Sequence, residues 1–376
     1  MMPSRAKPAV GGVEVVYLFG AGASHANAKL HGSVHGTIMT ELRAHIDPLV
    51  QELAQRPAFR GHPAIASLAN VVITDERTDI EQIITFLEAS RLEIHQRFAD
   101  GLKKIFADVL RRKLAAIERE LKGIPTDLYC AVLDMHEVPG FSERLRGILT
   151  LNYDIFLERA IEHDMGCHVD FGISVNPPVV SGKAVKLLKL HGSFGWKDEW
   201  PIKRGNYRQE RLWIAPGIQK EKGRYPFNAL WGMARELLEC DILRIVGCNL
   251  GKNDWDLVSL LFTTQYAHRE RPPYRVEIIN RPNCAEDIKQ QFPQLNAKSL
   301  LEIDVIGDQI VGEVSGGPPR PFNDFVGKDR SDLIERASKN PNPFLYWLKQ
   351  KAEEMFRNLG SLDTGRNALR KILEEY

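Results

Sequence analysis

Two polar residues and one glycine-rich turn stand at places in this sequence where ligand chemistry is expected. Asn152 and His191 each directly follow a short apolar run, and the apolar run from Val13 to Phe19 leads into residues 20–24, Gly-Ala-Gly-Ala-Ser. Such runs predict buried strands. In an open α/β sheet, ligands bind at the carboxyl ends of the strands. We therefore expect the amide, the imidazole and the turn to meet at one edge of a sheet.

The glycine-rich turn has the composition of a phosphate-binding loop. Gly20 and Gly22, on either side of Ala21, allow a tight turn and a close approach of the backbone to a phosphate, and Ser24 could add a hydroxyl donor. The usual dinucleotide fingerprint has a third glycine where His25 stands, and an acidic residue at the end of the next strand. Here the next predicted strand comes far along the chain. A turn that serves only strand-to-helix packing stays open as the alternative.

Asn152 and His191 together suit cleavage of an N-glycosidic bond to ribose. A neutral amide can hydrogen-bond a ribose hydroxyl or a water, and an imidazole that titrates near neutrality can take a proton. Asp154 could orient this pair, or it could cap the helix predicted to begin at Ile155. Taken singly, His191 could be a core histidine and Asn152 a turn former.

Two further loops suit a ribose or the adenosine end of a nucleotide. Gly247, Cys248 and Asn249 form a glycine-rich loop with a polar centre after the predicted strand 241–246. Asn280 follows another predicted strand, residues 275–279. Each loop, taken alone, is also an ordinary connection.

Strands that alternate with helices predict an α/β fold with a parallel sheet of about six strands, covered on both faces. The main domain is expected at residues 13–314, with its last strand at 302–306. Residues 31–140 are expected to form an inserted helical small lobe, and residues 1–12 a disordered lead. Residues 315–376 are expected to form a helical tail that packs on its own domain or on a partner. The predicted helices are 36–56 (interrupted near Pro48), 79–99, 101–122, 155–163, 227–238, 254–268, 285–292, 332–337 and 342–359.

Composition excludes several classes of protein. The 376 residues carry a formal net charge of +1, which gives no general attraction to nucleic acid or to an acidic membrane surface. We predict no membrane span and no signal peptide, because no apolar stretch is long enough. The 5 cysteines include no C-x-x-C pair, so we predict no metal site and a reducing, cytoplasmic location.

Taken in order, these segments resemble the sirtuins, and in particular the sirtuin-like domains of bacterial antiphage defence systems. The resemblance covers roughly residues 13–310 and is carried by residues 20–24, 151–154, 190–192, 247–250 and 279–280. It implies a Rossmann-like NAD-binding domain with a helical small lobe. In that family the residues matching Asn152 and His191 are catalytic, with Asp154 beside them. The family's NAD contacts match Gly20, Ala21, Gly22, Ser24, Gly247, Cys248, Asn249 and Asn280.

The departures from the family bear on the reaction. Deacylating sirtuins carry a four-cysteine zinc module after the catalytic histidine, but here no cysteine follows His191 until Cys240. Their Pro-Asp-Phe-Arg loop after the glycine turn is also missing, and Leu-Asn-Tyr-Asp replaces Gln-Asn-Ile-Asp. The resemblance therefore implies water as the acceptor, NAD⁺ as the substrate and no zinc. Residues 78–86 resemble the first small-lobe helix, whose acidic end faces the nicotinamide pocket.

The resulting hypothesis is an NAD⁺ glycohydrolase that depletes NAD⁺ in antiphage defence and is regulated by assembly. The alternatives are a module that senses NAD⁺ or ADP-ribose without turnover, and an NAD-dependent deacylase. Family analogy suggests a homo-oligomer, or a partner such as a HerA-like hexameric ATPase or an Argonaute-like protein. The tail, residues 315–376, is the expected contact.

Overall fold

The largest element of the fold is a seven-stranded parallel sheet with the strand order β3-β4-β2-β1-β5-β6-β7. Its strands are β1 (Val13–Phe19), β2 (Glu143–Thr150), β3 (His168–Asp170), β4 (Ala184–Lys189), β5 (Ile242–Val246), β6 (Arg275–Ile279) and β7 (Lys298–Ser299). The computed structural model describes residues 12–74, 80–90, 92–164, 166–173, 183–194, 196, 213–214, 223, 225–251, 254–267, 272–300, 302–306, 309–313, 320–321, 342–359 and 368–375. Helices cover both faces, which is why the central strands read as continuous apolar runs.

The predicted strand at residues 302–306 is present but does not belong to this sheet. Glu302–Ile306 (β8) pairs antiparallel with Gln309–Glu313 (β9), and β9 pairs with Arg320–Pro321 (β10) in a separate sheet. The prediction of a parallel strand here was wrong, because only residues 307 and 308 connect β8 to β9. A connection of that length joins antiparallel strands, whereas parallel neighbours need a crossover of about a dozen residues or more.

The two short edge strands, β3 and β7, were not predicted from the sequence. β3 has 3 residues and β7 has 2 residues, so neither contains an apolar run that stands out from a loop. The other five predicted strands lie in the parallel sheet. The α/β class and the parallel sheet are therefore confirmed, with seven strands in place of about six.

The described helices are α1 (Ala21–Leu30), α2 (Met39–Ala54), α3 (Pro63–Thr74), α4 (Ile80–Ala89), α5 (Glu93–Glu120), α6 (Asp127–Met135), α7 (Phe156–Arg159, continued by a π turn at Ala160–Asp164), α8 (Phe227–Leu237), α9 (Trp255–Gln265), α10 (Pro282–Gln291), α11 (Pro343–Leu359) and α12 (Ala368–Glu375). Pro48 lies inside α2 without interrupting it. The break between two helices that was expected at residue 100 lies instead between α4 and α5, and α5 runs through Gly101. A Cβ there would lie 2.6 Å from a methyl carbon of Leu53, so the glycine serves close packing of α5 against α2.

The inserted segment divides into two parts. Helices α2 to α5 bury a core of their own, which includes Leu42, Ile84, Phe98 and Leu102. Helix α6 instead contributes to the core that covers the sheet. The helical lobe expected at residues 31–140 therefore includes one helix, α6, that packs on the main domain.

The two described helices of the tail pack on the chain's own domain, whereas β10, at the start of the tail, pairs with β9. Phe344, Trp347 and Leu348 of α11 are buried in the core that covers β1, and Leu369 and Ile372 of α12 extend that core. Contact of the tail with a partner stays a prediction. The expected helix at 332–337 and the lead up to residue 11 lie outside the described residues. No described helix combines the length and the apolar character needed to span a membrane.

Candidate functional site

A cavity of about 740 Å³ lies between the carboxyl ends of the central strands and the small lobe. It brings together residues that are far apart in the sequence, each following a different strand. The predicted site residues that line it are Gly20, Ala21, Gly22, Asn152, Asp154, His191, Gly247, Cys248, Asn249 and Asn280. Ser24 is the predicted site residue that the lining lacks. The expectation that the strand ends meet at one edge is therefore realised in the structure.

The glycine turn after β1 packs tightly against the loop after β5. The Gly20 N–H donates to the carbonyl of Val246 (3.0 Å) and the Gly22 N–H to the carbonyl of Gly247 (2.8 Å). A Cβ on Gly22 would lie 2.7 Å from the Gly247 oxygen, and one on Gly20 would lie 2.6 Å from the Cys248 Cα. Packing between the loops is thus one reason for both glycines. In the first turn of α1 the N–H groups of Gly22 and Ala23 are bonded to carbonyls, so what this end of the helix offers a phosphate is chiefly the positive end of its dipole.

Ser24 lies beneath the cavity and not at its surface. Its hydroxyl is fully buried and donates to Asp154 Oδ2 (2.7 Å). Because a hydroxyl has one proton, the Ser24 oxygen must accept from Asn152 Nδ2 (3.0 Å) and from the Tyr129 hydroxyl (2.9 Å). The expectation that Ser24 donates to a phosphate is not met, since its proton is committed to Asp154.

The side-chain amide of Asn152 has its orientation fixed by its partners. Nδ2 donates to the carbonyl of Gly20 (3.0 Å) as well as to Ser24, and a carbonyl can only accept. The backbone N–H of Asn152 donates to Thr150 Oγ1, whose hydroxyl donates to the carbonyl of Phe19. Within the described residues no donor reaches Asn152 Oδ1. The amide therefore offers an acceptor oxygen to a ribose hydroxyl or a water in the cavity.

Asp154 is bonded to the start of α7 and, through Ser24, to the Asn152 amide. Its Oδ1 accepts from the N–H of Phe156 (3.1 Å), the first residue of α7, and its Oδ2 accepts from the Ser24 hydroxyl. Through Ser24 the carboxylate is connected to the side-chain amide of Asn152. Burial raises the pKa of Tyr129, and the charge of Asp154 adds to the shift, so the Tyr129 hydroxyl stays protonated and donates to Ser24.

His191 lies at the cavity beside a group of aromatic rings. The centroids of the Tyr153 ring and the His191 imidazole are 6.2 Å apart. The Tyr153 ring also stacks on Phe194, with centroids 5.1 Å apart, and lies edge-on to Trp213, with centroids 5.5 Å apart. The Tyr153 hydroxyl donates to the carbonyl of Ile214, whose N–H donates to the carbonyl of His191. These contacts connect the loop after β4, which carries His191, to the loop after β2, which carries Asn152.

A buried ion pair between Lys189 and Glu158 also connects these two loops. Lys189, the last residue of β4, lies 2.6 Å from Glu158 of α7 and also donates to the carbonyl of Asp154. Burial raises the pKa of Glu158, while the Lys189 ammonium opposes this shift. Ser193 also donates to Glu158, at 3.3 Å. The pair therefore joins the loop that carries His191 to the helix that follows Asn152.

Asn280 organises the far end of the cavity. Its Nδ2 donates to the carbonyl of Cys248 (3.2 Å) and to Asn249 Oδ1 (2.9 Å), and its Oδ1 accepts from the N–H of Arg281 (2.9 Å). The side chain thus fixes the loop after β5 against the loop after β6. In the described part of the chain, no three or more His, Cys, Asp or Glu side chains are grouped so as to hold a metal ion.

Several residues of the cavity were not predicted from the sequence. Among them are His25, Lys29, Asp254, Arg281, Cys284 and residues 342–345 at the start of α11. Burial lowers the pKa of His25, the nearby Glu41 opposes the shift, and the positive charges of Lys29 and Arg281 add to it. Arg281 could have been found as the neighbour of Asn280. The start of α11 gives no local signal, because only the tertiary fold brings it to the cavity.

The fold and the site together define a Rossmann-like α/β protein with a ligand cavity at the carboxyl ends of its strands. Residues 146–303 match the family model of the SIR2-like domain. The matched segment includes Asn152, His191 and Asn280, whereas the glycine turn and the small lobe lie outside it. A solved structure described as "Structural Basis for the Mechanism and Regulation of Sir2 Enzymes" aligns with 76% of this chain and 91% of its own, at 15% identity and a TM-score of 0.30. No curated protein matches the chain.

Proposed function

We propose that this protein is an NAD⁺ glycohydrolase, which cleaves NAD⁺ to nicotinamide and ADP-ribose. The observation that carries the proposal is the oriented amide of Asn152 in the same cavity as the His191 imidazole and the glycine turn. The match of residues 146–303 to the SIR2-like domain supports NAD⁺ as the ligand. The sequence between His191 and Cys240 lacks the cysteines of a zinc module, which favours water over an acyl-lysine peptide as the acceptor.

The proposed reaction breaks the bond between nicotinamide nitrogen and C1′ of the ribose, and the electron pair leaves with nicotinamide. The Asn152 Oδ1 accepts a hydrogen bond from the attacking water or from a ribose hydroxyl and so holds it near C1′. His191 takes the proton that the water loses as its oxygen bonds to C1′, and it returns that proton to solvent. Because the Asn152 amide is neutral, it does not stabilise the cationic ground state as a carboxylate would.

The test is nicotinamide release from NAD⁺ by the intact chain, with three variants. We expect Asn152→Ala and His191→Ala each to lower kcat at least about a hundredfold, as is usual for a general base or a substrate-positioning residue. The control is Arg357→Ala, a substitution on the exposed surface of α11. Activity in both site variants equal to that of the parent would refute the proposal. Saturable NAD⁺ binding without nicotinamide release would favour the sensing module instead.

We also propose that the enzyme acts in the cytoplasm, in antiphage defence, and that assembly controls it. The support is the resemblance of the ordered motifs, and the partners it suggests are a second copy of this chain, a HerA-like hexameric ATPase or an Argonaute-like protein. Removal of the tail is an unsuitable test, because Trp347 and Leu348 belong to the core. The native mass of the full chain, measured together with nicotinamide release on the same sample, tests this proposal. A monomer with full activity would refute control by assembly.

A further inference from the structure

The order of the strands sets the direction in which a dinucleotide would lie. His191, Asn152, the glycine turn, the Gly247 loop and Asn280 follow β4, β2, β1, β5 and β6, which are successive neighbours in the sheet. Neighbouring strands are about 4.8 Å apart, so the row spans roughly 19 Å. This inference rests on the proposed function: if the bond to nicotinamide is cleaved beside His191, the adenosine ribose lies at the Asn280 end.

The charges that line the cavity differ between its two ends. Burial raises the pKa of Tyr153, beside His191, and the nearby carboxylates of Glu81 and Asp254 add to that shift. Both carboxylates therefore lie within electrostatic range of the end where the cationic nicotinamide would bind. Around His25 the nearby charges are the carboxylate of Glu41 and the cations Lys29 and Arg281, and both cations line the cavity.

Among the described residues that line the cavity, Arg281 is a cation for which no ion pair with a carboxylate is found, and it follows Asn280 directly. Its backbone is held by Asn280, and its side chain is exposed at the cavity. Within the described residues, no carboxylate forms an ion pair with the Arg281 guanidinium. Lys29 differs, since its ammonium lies 3.6 Å from Glu41 and also donates to the carbonyl of Val34.

In the usual Rossmann fingerprint, an acidic residue at the end of the strand after the glycine turn binds the 2′-hydroxyl of the adenosine ribose and selects NAD, whereas a nearby arginine accommodates a 2′-phosphate. In this strand order the corresponding end of the ligand would lie at the end of β6. The residues that follow β6 here are a neutral amide and an arginine, Asn280 and Arg281. A planar guanidinium suits a phosphate because it can donate two parallel hydrogen bonds. We propose that this cavity binds dinucleotides phosphorylated at the adenosine 2′ position, with Arg281 as the phosphate ligand, so that NADP⁺ is a substrate as well as NAD⁺.

Binding of two products tests the proposal without requiring turnover. ADP-ribose and 2′-phospho-ADP-ribose would be titrated calorimetrically into the parent, Arg281→Ala, Arg281→Lys and Arg275→Ala. Arg275 is the matched control, because it is the first residue of β6 and so lies at the opposite end of the strand from the cavity. We expect the parent to bind the phosphorylated ligand at least as tightly as ADP-ribose. Arg281→Ala should weaken the phosphorylated ligand about tenfold or more relative to ADP-ribose, Arg281→Lys should do so less, and Arg275→Ala should leave the ratio unchanged.

The binding ratio decides this proposal, and nicotinamide release decides the proposed function. A parent protein that binds ADP-ribose more than tenfold better than its 2′-phosphate would overturn the inference, as would an unchanged ratio in Arg281→Ala. Hydrolysis of NAD⁺ but not of NADP⁺ would also count against the inference and leave the proposed function standing. If neither dinucleotide were hydrolysed while the ratio changed as expected, the proposed function would fail and the ligand preference would hold.

Discussion

The side-chain nitrogen of Asn152 lies 3.0 Å from the carbonyl oxygen of Gly20, so the end of β2 is tied directly to the turn that follows β1. The same nitrogen reaches Ser24, whose hydroxyl donates to Asp154. The amide is therefore held by two elements, and its free oxygen has one direction in which to point. A site that must place a water or a hydroxyl accurately needs this kind of support.

Substitution of Ser24 by alanine should lower kcat and stability together. The change leaves Asp154 Oδ2 and the Tyr129 hydroxyl buried without their partner, which costs about 1–3 kcal/mol for an unsatisfied polar group. It also removes one of the two groups that hold the Asn152 amide. We expect a lower kcat for nicotinamide release with little change in KM, because the Ser24 hydroxyl does not reach the cavity.

Tyr129→Phe is the comparison for Ser24→Ala. It removes one donor to Ser24 but keeps the hydrogen bonds of Ser24 to Asp154 and Asn152. Its effect on kcat should therefore be clearly smaller. If Ser24→Ala kept the parental kcat while its unfolding temperature fell, the hydroxyl would be a core residue only and the positioning role would be lost.

Gly22→Ala should separate the loops after β1 and β5. A Cβ there would lie 2.7 Å from the Gly247 oxygen and 3.0 Å from its Cα, both backbone atoms that cannot turn away. We expect a stability loss of about 1–3 kcal/mol, as for overpacking elsewhere, and weaker binding of ADP-ribose. Chemical denaturation and calorimetry measure the two effects.

Gly232 in α8 provides the matched control for this substitution. No atom lies within 4 Å of a Cβ built there, so Gly232→Ala should stabilise the protein by about 0.5–1 kcal/mol through helix propensity. Unchanged stability and unchanged ADP-ribose affinity in Gly22→Ala would mean that the two loops do not need their close approach.

The sequence predicts which residues meet at the cavity better than it predicts the elements around them. Asn152, His191 and Asn280 were found because each ends an apolar run, and that local pattern is enough when parallel strands bring their ends to one edge. The partners of Ser24 could not be found in this way. Tyr129 lies in α6, far along the chain, and its position under the glycine turn depends on how that helix packs on the sheet.

The same limit explains the errors in the fold. The sequence predicts two helices that meet near residue 100, but α5 runs through Gly101, where close packing against Leu53 outweighs the helix-propensity cost of a glycine, about 1 kcal/mol. Residues 302–306 have the composition of a parallel strand, and only their pairing with β9 shows otherwise. For the tail the sequence allows packing on its own domain or on a partner, since an apolar helix face does not identify the surface that covers it.

Trp347→Ala should destabilise the whole domain and not only the tail. The indole is buried, lies edge-on to Tyr17 with ring centroids 6.3 Å apart, and has the Arg244 guanidinium 5.2 Å from its ring. Truncation of a buried tryptophan costs about 3–5 kcal/mol. Chemical denaturation should show this loss as a single transition. Phe356→Ala on the same helix is the control, because that ring is 53% exposed, and it should change stability by less than about 0.5 kcal/mol.

Stability should also fall as the pH drops below the usual pKa of histidine, because of His136. Burial lowers the pKa of His136 from 6.5 to about 4. The neutral ring accepts from the Tyr17 hydroxyl (2.9 Å) and donates from Nδ1 to the carbonyl of Glu143 (3.2 Å). Between pH 6.5 and 4 the unfolded chain binds a proton at this residue that the folded chain does not. Linkage then requires the free energy of unfolding to decrease as the pH falls through that window, by up to about 3 kcal/mol.

His136→Gln tests this assignment, since glutamine can keep one hydrogen bond but does not titrate. We expect the variant to be less stable at pH 7, because glutamine leaves either the Tyr17 hydroxyl or the Glu143 carbonyl buried without its hydrogen-bond partner. Its stability should depend less steeply on pH between 6.5 and 4 than that of the parent. Denaturation curves at several pH values in this window measure both slopes. Equal slopes in the parent and the variant would show that other groups, and not His136, cause the loss of stability in mild acid.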